Sequence, residues 1–372
     1  LRAAGFGCRQ TSGDSQMTDS NSRTTIDEKA LQDLSSQALR GLGLADDDAT
    51  DAARILVLAE LFGVTTHGVS RIESYGERLE IGGITPRPNI EIDQVAPSVS
   101  MVDGDNGVGP LVGYRALEAA MTSAREFGVG VAFARGSNHF GPVAPYNFIA
   151  AEQGFASFIC SNATTTITPW GGRQAKLGNS PLGFGIPNPG GDPIILDMAM
   201  SVVARAKIRN AAKAGSSIPA TWATDNQGQP TTDPKAALEG FLLPVGGHKG
   251  YGLALVVDLF AGVLSGAAYL SHVKSWVDAP GEPQNLGHFF LVIDTARLGQ
   301  KSWLAERMMD FADILHSTPA TNPDAPVLLP GETEMRNLAR QRKTGIAIDN
   351  GLLAKIQEYA DRSAPVADKT AV

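Results

Sequence analysis

The chain has 372 residues, 43% hydrophobic and 19% charged, enough for a sizeable core in one large domain or two medium ones. Its net charge is −8 at pH 7 and no basic patch stands out, which argues against a nucleic-acid partner. No apolar run reaches the roughly 18 residues of a membrane helix, so no membrane partner is expected.

In chain order, LRAAGFGCRQTSGDSQMTDSNSRTT is polar and lacks the apolar core of a secretory signal. It reads as an extension ahead of a start at Met17, with residues 1–24 expected to be poorly ordered. Cys8 lies in this leader and Cys160 in an expected strand, so no disulfide framework is indicated and a reducing cytoplasm is expected. Residues 26–43 and 46–63 space their apolar positions as helices do, and Asp46, Asp47 and Asp48 favour a helix N-terminus. Thr65 or Thr66 caps a third expected helix, which runs to about Ile81 before GGITPRPN breaks it.

VSMVDG then reads as a strand, GPLVGYRALEAAMTSAREFG as a helix, GVGVAFA as a strand, VAPYNFIAAEQG as a short helix and FASFICSN as a strand. TPWGGRQAKLGNSPLGFGIPNPGGDP is dense in glycine and proline and reads as loop. PIILDM is a short buried strand, GHKGYGLALVVDLFAGVLSGA a long apolar helix entered through glycines, and GHFFLVID a strand. Helices near 302–316, 332–343 and 350–362 close the chain. The expected class is therefore α/β (α+β). Residues 25–98 and 303–372 would form a helical domain from both chain ends, and residues 99–302 a central α/β domain with a mixed sheet.

VSMVDGDNGVGPLVG looks like a nucleotide-binding turn, but its Gly107, Gly109 and Gly113 miss the dinucleotide spacing by one residue. Asp103 and Asp105 would repel a pyrophosphate there, so this is read as a structural turn. No metal-binding or nucleophile signature is present.

Chemistry concentrates elsewhere. In THGVSRIESYG, His67, Arg71 and Tyr75 stand at i, i+4 and i+8, one face of a helix. A guanidinium grips a carboxylate with a planar fork, and an imidazole one turn away can carry a proton near neutral pH. The alternative is a solvated helix face. GSNHFG places His139 just after a strand, with Gly136 and Gly141 allowing close backbone approach, or else as a loop histidine bonded locally. Asp197, in IILDMA, can orient an imidazole, bind ribose or cap a helix. GGHKGYG puts Lys249 and free N–H groups at a helix start, fit for a phosphate, or else marks a tightly packed helix entry.

Taken in order, THGVSRIESY, GSNHFG, PWGGRQAKLGNSPLGFGIP, LDMAMS, QPTTDP, LLPVGGHKGYGLAL, LGHFFLVID and LPGE resemble the malate/L-lactate dehydrogenase family that lacks the Rossmann fold, over residues 26–362. That resemblance implies a non-Rossmann central domain binding NAD or NADP, a small carboxylic-acid substrate and a homodimer. It implies His67 or His139 as the proton carrier, with Asp197 in support, and Arg71 as carboxylate clamp, with Tyr75 and Asn138 beside the substrate. It implies cofactor contacts around Asn162, Thr164, Asn179, Asp197, Met198, Ala199, His248, Lys249, Gly331 and Glu332. The chain departs from the family at Ala163, Asn179, Ser180, Ala206 and Thr221, which leaves the choice of cofactor open. The implied activity is hydride transfer between a 2-hydroxy acid and a 2-oxo acid. The alternatives are reduction of a cyclic imino acid, or a nucleotide-binding protein of this fold with little activity.

Overall fold

The computed structural model describes residues 22–363. The expectation for residues 1–21 lies outside them, but that for Arg23 and Thr24 is corrected. Strand β1 (Arg23–Ile26) is tied down by antiparallel pairing with β11 (Ile346–Asp349), Arg23 opposite Asp349. Two helices follow. In α1 (Glu28–Gly41), Asp27 caps the first turn by accepting from the Ala30 amide at 2.9 Å. In α2 (Asp46–Leu61) three aspartates occupy the first turn, where the helix dipole favours negative charge. The third helix starts later than expected. Residues Thr65–His67 form a 3-10 turn, and α3 runs only over Arg71–Glu80.

Next come β2 (Glu91–Ala96) and β3 (Val99–Asp103), α4 (Gly109–Phe127), β4 (Val129–Ser137), α5 (Ala144–Glu152) and β5 (Phe155–Ser161). The segment read as loop contains β6 (Thr165–Ile167), β7 (Leu177–Gly178) and β8 (Leu182–Ile186), followed by β9 (Ile194–Met198). Helices α6 (Arg205–Ala214) and α7 (Pro234–Glu239) precede α8 (His248–Asp258), which ends in a π turn over Leu259–Val263. Strand β10 (Leu286–Asp294), then α9 (Lys301–His316), α10 (Glu332–Thr344) and α11 (Asn350–Asp361) complete the chain.

The main sheet has seven strands in the order β2-β3-β4-β10-β5-β8-β9, with β3 and β4 parallel and every other pair antiparallel. The sheet is mixed, as expected, although β2 falls in the stretch assigned from sequence to the helical ends. Registers place Asp103, Ser137, Leu286, Ser161, Leu182 and Met198 along one edge. Helix α4 covers β4 and β10 with Leu111, Leu117, Ala120 and Met121, all essentially buried. Each large side chain removed from water in this way contributes about 1.5–3 kcal/mol. The chain ends meet through α1 against α11 and an Arg342–Glu28 ion pair.

Gly109, Gly113 and Gly107 have packing reasons. A Cβ at Gly109 would lie 2.2 Å from the His139 carbonyl oxygen, and one at Gly113 would lie 2.9 Å from the Tyr146 hydroxyl. A Cβ at Gly107 would meet Pro88 at 2.9 Å. Asp103 pairs with Arg135 and Asp105 accepts from the Asn89 amide, so this turn is filled by the protein itself.

Candidate active site

The edge of the sheet where β4 ends carries the SNHFG loop, pressed against the first turn of α4. His139 is held there by Tyr75 of α3. The Tyr75 hydroxyl lies 2.9 Å from Nδ1 of His139 and donates to its backbone oxygen at 3.2 Å. A phenol has one proton, so both bonds are made together only when Nδ1–H donates to the Tyr75 oxygen. That tautomer leaves Nε2 with a bare lone pair. Among the described residues Nε2 has no hydrogen-bond partner.

His67 comes from the 3-10 turn, its ring 5.4 Å from that of His139 and tilted by 30°. Its Nδ1 lies 2.9 Å from the Thr66 hydroxyl. Arg71, the first residue of α3, is bonded through Nε to the Thr66 carbonyl at 2.8 Å, and its terminal nitrogens have no partner among the described residues. His67, Arg71, Tyr75 and His139 are therefore brought together, though His67 and Arg71 do not share one continuous helix. Gly68 between them makes the turn possible. A Cβ there would lie 2.3 Å from the Glu60 carboxylate. Glu60 is buried, accepts from the Val69 amide at 3.0 Å, and is pushed by burial up to about 7.

Burial, with the nearby Arg71 charge, lowers His67 to about 4 and holds His139 well below the ordinary imidazole range. Both rings are neutral at pH 7. Burial raises the Tyr75 phenol, so it stays a hydroxyl.

Asp197 ends β9 and accepts from the Ala144 amide at 2.9 Å, capping α5 directly after the His139 loop. It caps the helix that precedes it in the chain, not one that follows. Asn138 is fully buried, and its side chain is spent on bonds within the chain. Its amide nitrogen donates to Asn106 and Gly107 carbonyls at 3.2 and 2.9 Å, holding the turn before α4.

The residues expected to meet a nucleotide spread along the same edge. Asn162 is buried and committed at both ends, accepting from the Gly287 amide at 3.0 Å and donating to the Ala268 carbonyl at 2.6 Å. Thr164 meets the Lys274 carbonyl at 3.4 Å, and Asn179 accepts from the Ser201 amide at 2.7 Å. Met198 is half-buried and Ala199 exposed. His248 and Lys249 open α8, both exposed, behind Gly246 and Gly247 at φ +61° and +64°. Gly331, at φ +92°, packs against β9, where a Cβ would lie 2.9 Å from the Ile195 amide nitrogen. Glu332 is bonded to His316 at 2.6 Å and Arg336 at 3.0 Å, so its carboxylate is occupied by side chains.

Three residues at this edge escape the sequence reading. His288, on β10, is fully buried, with Nδ1 2.8 Å from the Ser161 hydroxyl and Nε2 2.7 Å from that of Ser137. Trp276 flanks Tyr75 and His139, and Arg78 lies over its indole ring. Arg78 follows Tyr75 by three residues on an amphipathic helix, a signal that was available. Trp276 sits in an irregular loop and carried none.

Comparison with known proteins places this geometry. The malate/L-lactate dehydrogenase family model matches residues 26–357. A malate/(S)-sulfolactate dehydrogenase of Methanothermus fervidus is 34% identical over 87% of this chain and 93% of its own length. A Δ1-pyrroline-2-carboxylate reductase of Ancylobacter novellus is 33% identical over 88% of this chain and 95% of its own. The solved sulfolactate dehydrogenase of Methanocaldococcus jannaschii superposes with a TM-score of 0.84 at 32% identity, covering 91% of this chain and 97% of that one. Relatives named for NADP(+) and for NAD(+) both occur. The chain belongs to the malate/L-lactate dehydrogenase family.

Proposed function

We propose that this protein is an NAD(P)-dependent oxidoreductase that interconverts a small 2-hydroxy acid and its 2-oxo acid. The observation that carries the reading is the Tyr75–His139 pair, which leaves Nε2 of His139 open, with Arg71 near enough for its charge to lower that imidazole. Arg71 holds the C1 carboxylate as a fork, which orients C2. Nε2 of His139 takes the hydroxyl proton during oxidation and returns it during reduction. Tyr75 fixes the ring's tautomer, and His67, stacked beside it, excludes water and shares the proton. Asp197 and Asn138 act as positioning residues, one through α5 and the other through the turn before α4.

A nicotinamide cofactor, when bound, supplies the hydride. The residues at the sheet edge suit one. The exposed Lys249 and unpaired N–H groups in the first turn of α8 fit a phosphate, and the segment after Asp197, through Met198 and Ala199, is bonded to the chain just before α8 by Val245 to Met200 and to Asn179 by Ser201. Asn162, Thr164, Gly331 and Glu332 shape that edge chiefly through bonds and packing within the chain. The reading also includes the domain division, with helical ends around a central sheet, a homodimer in which the helical ends serve assembly, and a place in the cytoplasm. Among the described residues no helix is long and apolar enough to cross a membrane.

A second reading, reduction of a cyclic imino acid, draws on the half-buried Trp276 ring, 5.9 Å from His139, which offers an apolar surface to ring methylenes, while Tyr75 is fully buried behind it. The deciding experiment follows NADH and NADPH absorbance against oxaloacetate, pyruvate, 2-oxoglutarate, sulfopyruvate and Δ1-piperideine-2-carboxylate, with ureidoglycolate plus NAD in reverse. Turnover of a 2-oxo acid supports the main reading, and turnover of the imine alone supports the second. Tight nucleotide binding without turnover of any compound would overturn both.

A further inference from the structure

The loop between Leu270–His272 and β10 carries Trp276. Its ring lies 5.9 Å from His139, nearly perpendicular, and 5.8 Å from Tyr75. The Arg78 guanidinium lies over the same indole at 4.8 Å. Arg78 is 1% exposed. Its Nη2 donates to the Gly83 carbonyl at 2.9 Å, the Glu282 carbonyl at 2.8 Å and the Asn138 side-chain oxygen at 3.4 Å. Its Nε and Nη1 are buried without any hydrogen-bond partner, and among the described residues no carboxylate pairs with it. A buried cation with no anion is costly, and three oxygen acceptors on Nη2 together with the indole face compensate it here. Through its bond to Glu282, Arg78 also holds the loop that carries Trp276.

These contacts bear on which acids the site admits. Arg71 is committed to the C1 carboxylate in the reading above, on which this inference rests. A second acidic group on the substrate would need another cation, and Arg78, three residues after Tyr75 on α3, lies under the Trp276 ring. An aromatic face repels an anion and packs well against methylene groups. We propose that Trp276, held by Arg78, is a specificity-determining wall. It favours 2-oxo or 2-imino monocarboxylates with apolar carbon beyond C2, and it disfavours substrates carrying a second carboxylate or a sulfonate. This departs from the diacids in the names of several relatives.

The test compares kcat/KM for pyruvate and Δ1-piperideine-2-carboxylate with that for oxaloacetate and sulfopyruvate, in wild type, Trp276→Ala and Trp276→Phe. Wild type is expected to favour the monocarboxylates. Trp276→Ala uncovers the Arg78 donors and should lower the ratio of monoacid to diacid by about tenfold or more, the scale on which a pocket wall discriminates. Trp276→Phe keeps a ring over Arg78 and should shift the ratio less. A wild type that prefers the diacids, or a ratio unchanged in a folded Trp276→Ala, overturns the proposal. If wild type turns over none of the four, there is no ratio to compare, and the functional reading itself fails only when 2-oxoglutarate and ureidoglycolate are inert as well. Calorimetric titration of the NADH-bound protein with oxamate and with tartronate then decides the wall: tighter oxamate binding supports it, and tighter tartronate binding overturns it.

Discussion

Two histidines at one edge of the sheet, His139 and His288, have nearly the same surroundings and opposite prospects. Phe140, the chain neighbour of His139, stacks on the His288 ring at 4.3 Å and 7°. Burial keeps both imidazoles neutral, lowering His288 to about 3. They differ in what their nitrogens do. His288 has both nitrogens on serine hydroxyls of its own chain, whereas His139 has one on Tyr75 and one open. Burial and a shifted pKa therefore do not single out a reactive histidine, and an unspent ring nitrogen facing a ligand clamp does.

The largest effect that could break this comparison is on turnover. His139→Ala should lower kcat by roughly 10²–10⁴, the usual contribution of a positioned acid or base. His67→Ala should cost less, because the Thr66 hydroxyl beside Nδ1 of His67 can donate or accept and fixes no tautomer, whereas the Tyr75 hydroxyl, which also donates to the His139 backbone oxygen, does. A larger loss in His67→Ala, measured by initial rates with the same substrate, would transfer the proton-carrying role to His67. Arg71→Lys comes next. A point charge does not replace a planar fork, so KM for the acid should rise roughly 10–100-fold with a smaller change in kcat. An unchanged KM would remove Arg71 from the carboxylate.

His288 should answer in stability instead. His288→Phe keeps the stacking on Phe140 but takes one partner from each of two buried hydroxyls, leaving Ser161 its 2.9 Å bond to the Asn162 carbonyl and Ser137 only a 3.4 Å bond to the Asn138 carbonyl, at a cost of about 1–3 kcal/mol in denaturant unfolding. Activity per folded molecule should stay within a few-fold of wild type. A collapse of kcat in a folded His288→Phe protein would mean that the inner histidine takes part in proton transfer. The pH dependence sharpens the point. The folded pKa of His288, about 3, lies below its ordinary 6.5, so between those values the unfolded chain binds a proton that the folded chain does not. Its contribution to stability is present above about 6.5 and is lost as the pH falls toward 3. His67 adds the same trend down to about 4. The acid limb of a stability-versus-pH curve should therefore flatten in His288→Phe.

What could be read from the sequence follows from where chemistry and periodicity coincide. His67, Arg71 and Tyr75 were visible because their spacing is helical, and the turn at Gly68 only shifts His67 off the helix. Strand β8 was hidden because LGFGI spends alternate positions on glycine. A Cβ at Gly183 would lie 2.5 Å from the Leu196 carbonyl oxygen, and one at Gly185 would lie 2.9 Å from that of Asn147. Those glycines let α5 lie close on the sheet, a tertiary demand that no local pattern records. Strands β1 and β11 were missed because each is short and pairs only with the far end of the chain. Asn138 and Asn162 look like ligand contacts in a motif, and only their partners reveal that both amides are used within the chain.

The smallest effect concerns Asp197. Its carboxylate caps α5 at the Ala144 amide, and α5 begins three residues after Gly141, which stands at φ +84°. Asp197→Asn keeps an acceptor oxygen at that amide and removes the charge. If Asp197 only positions the helix and the loop before it, stability should change little, because burial raises its carboxyl to about 6 and offsets the roughly 0.3–1 kcal/mol that a carboxylate gains at a helix N-terminus. Thermal unfolding would then show a Tm close to that of wild type, with kcat near wild type and the pH profile of kcat/KM unmoved. If the charge instead steadies a protonated imidazole during turnover, the same variant should lower kcat and displace that profile while Tm barely changes. Measuring both on one protein separates a helix cap from a partner in proton transfer, because the first acts through the folded state and the second only through the charge His139 acquires.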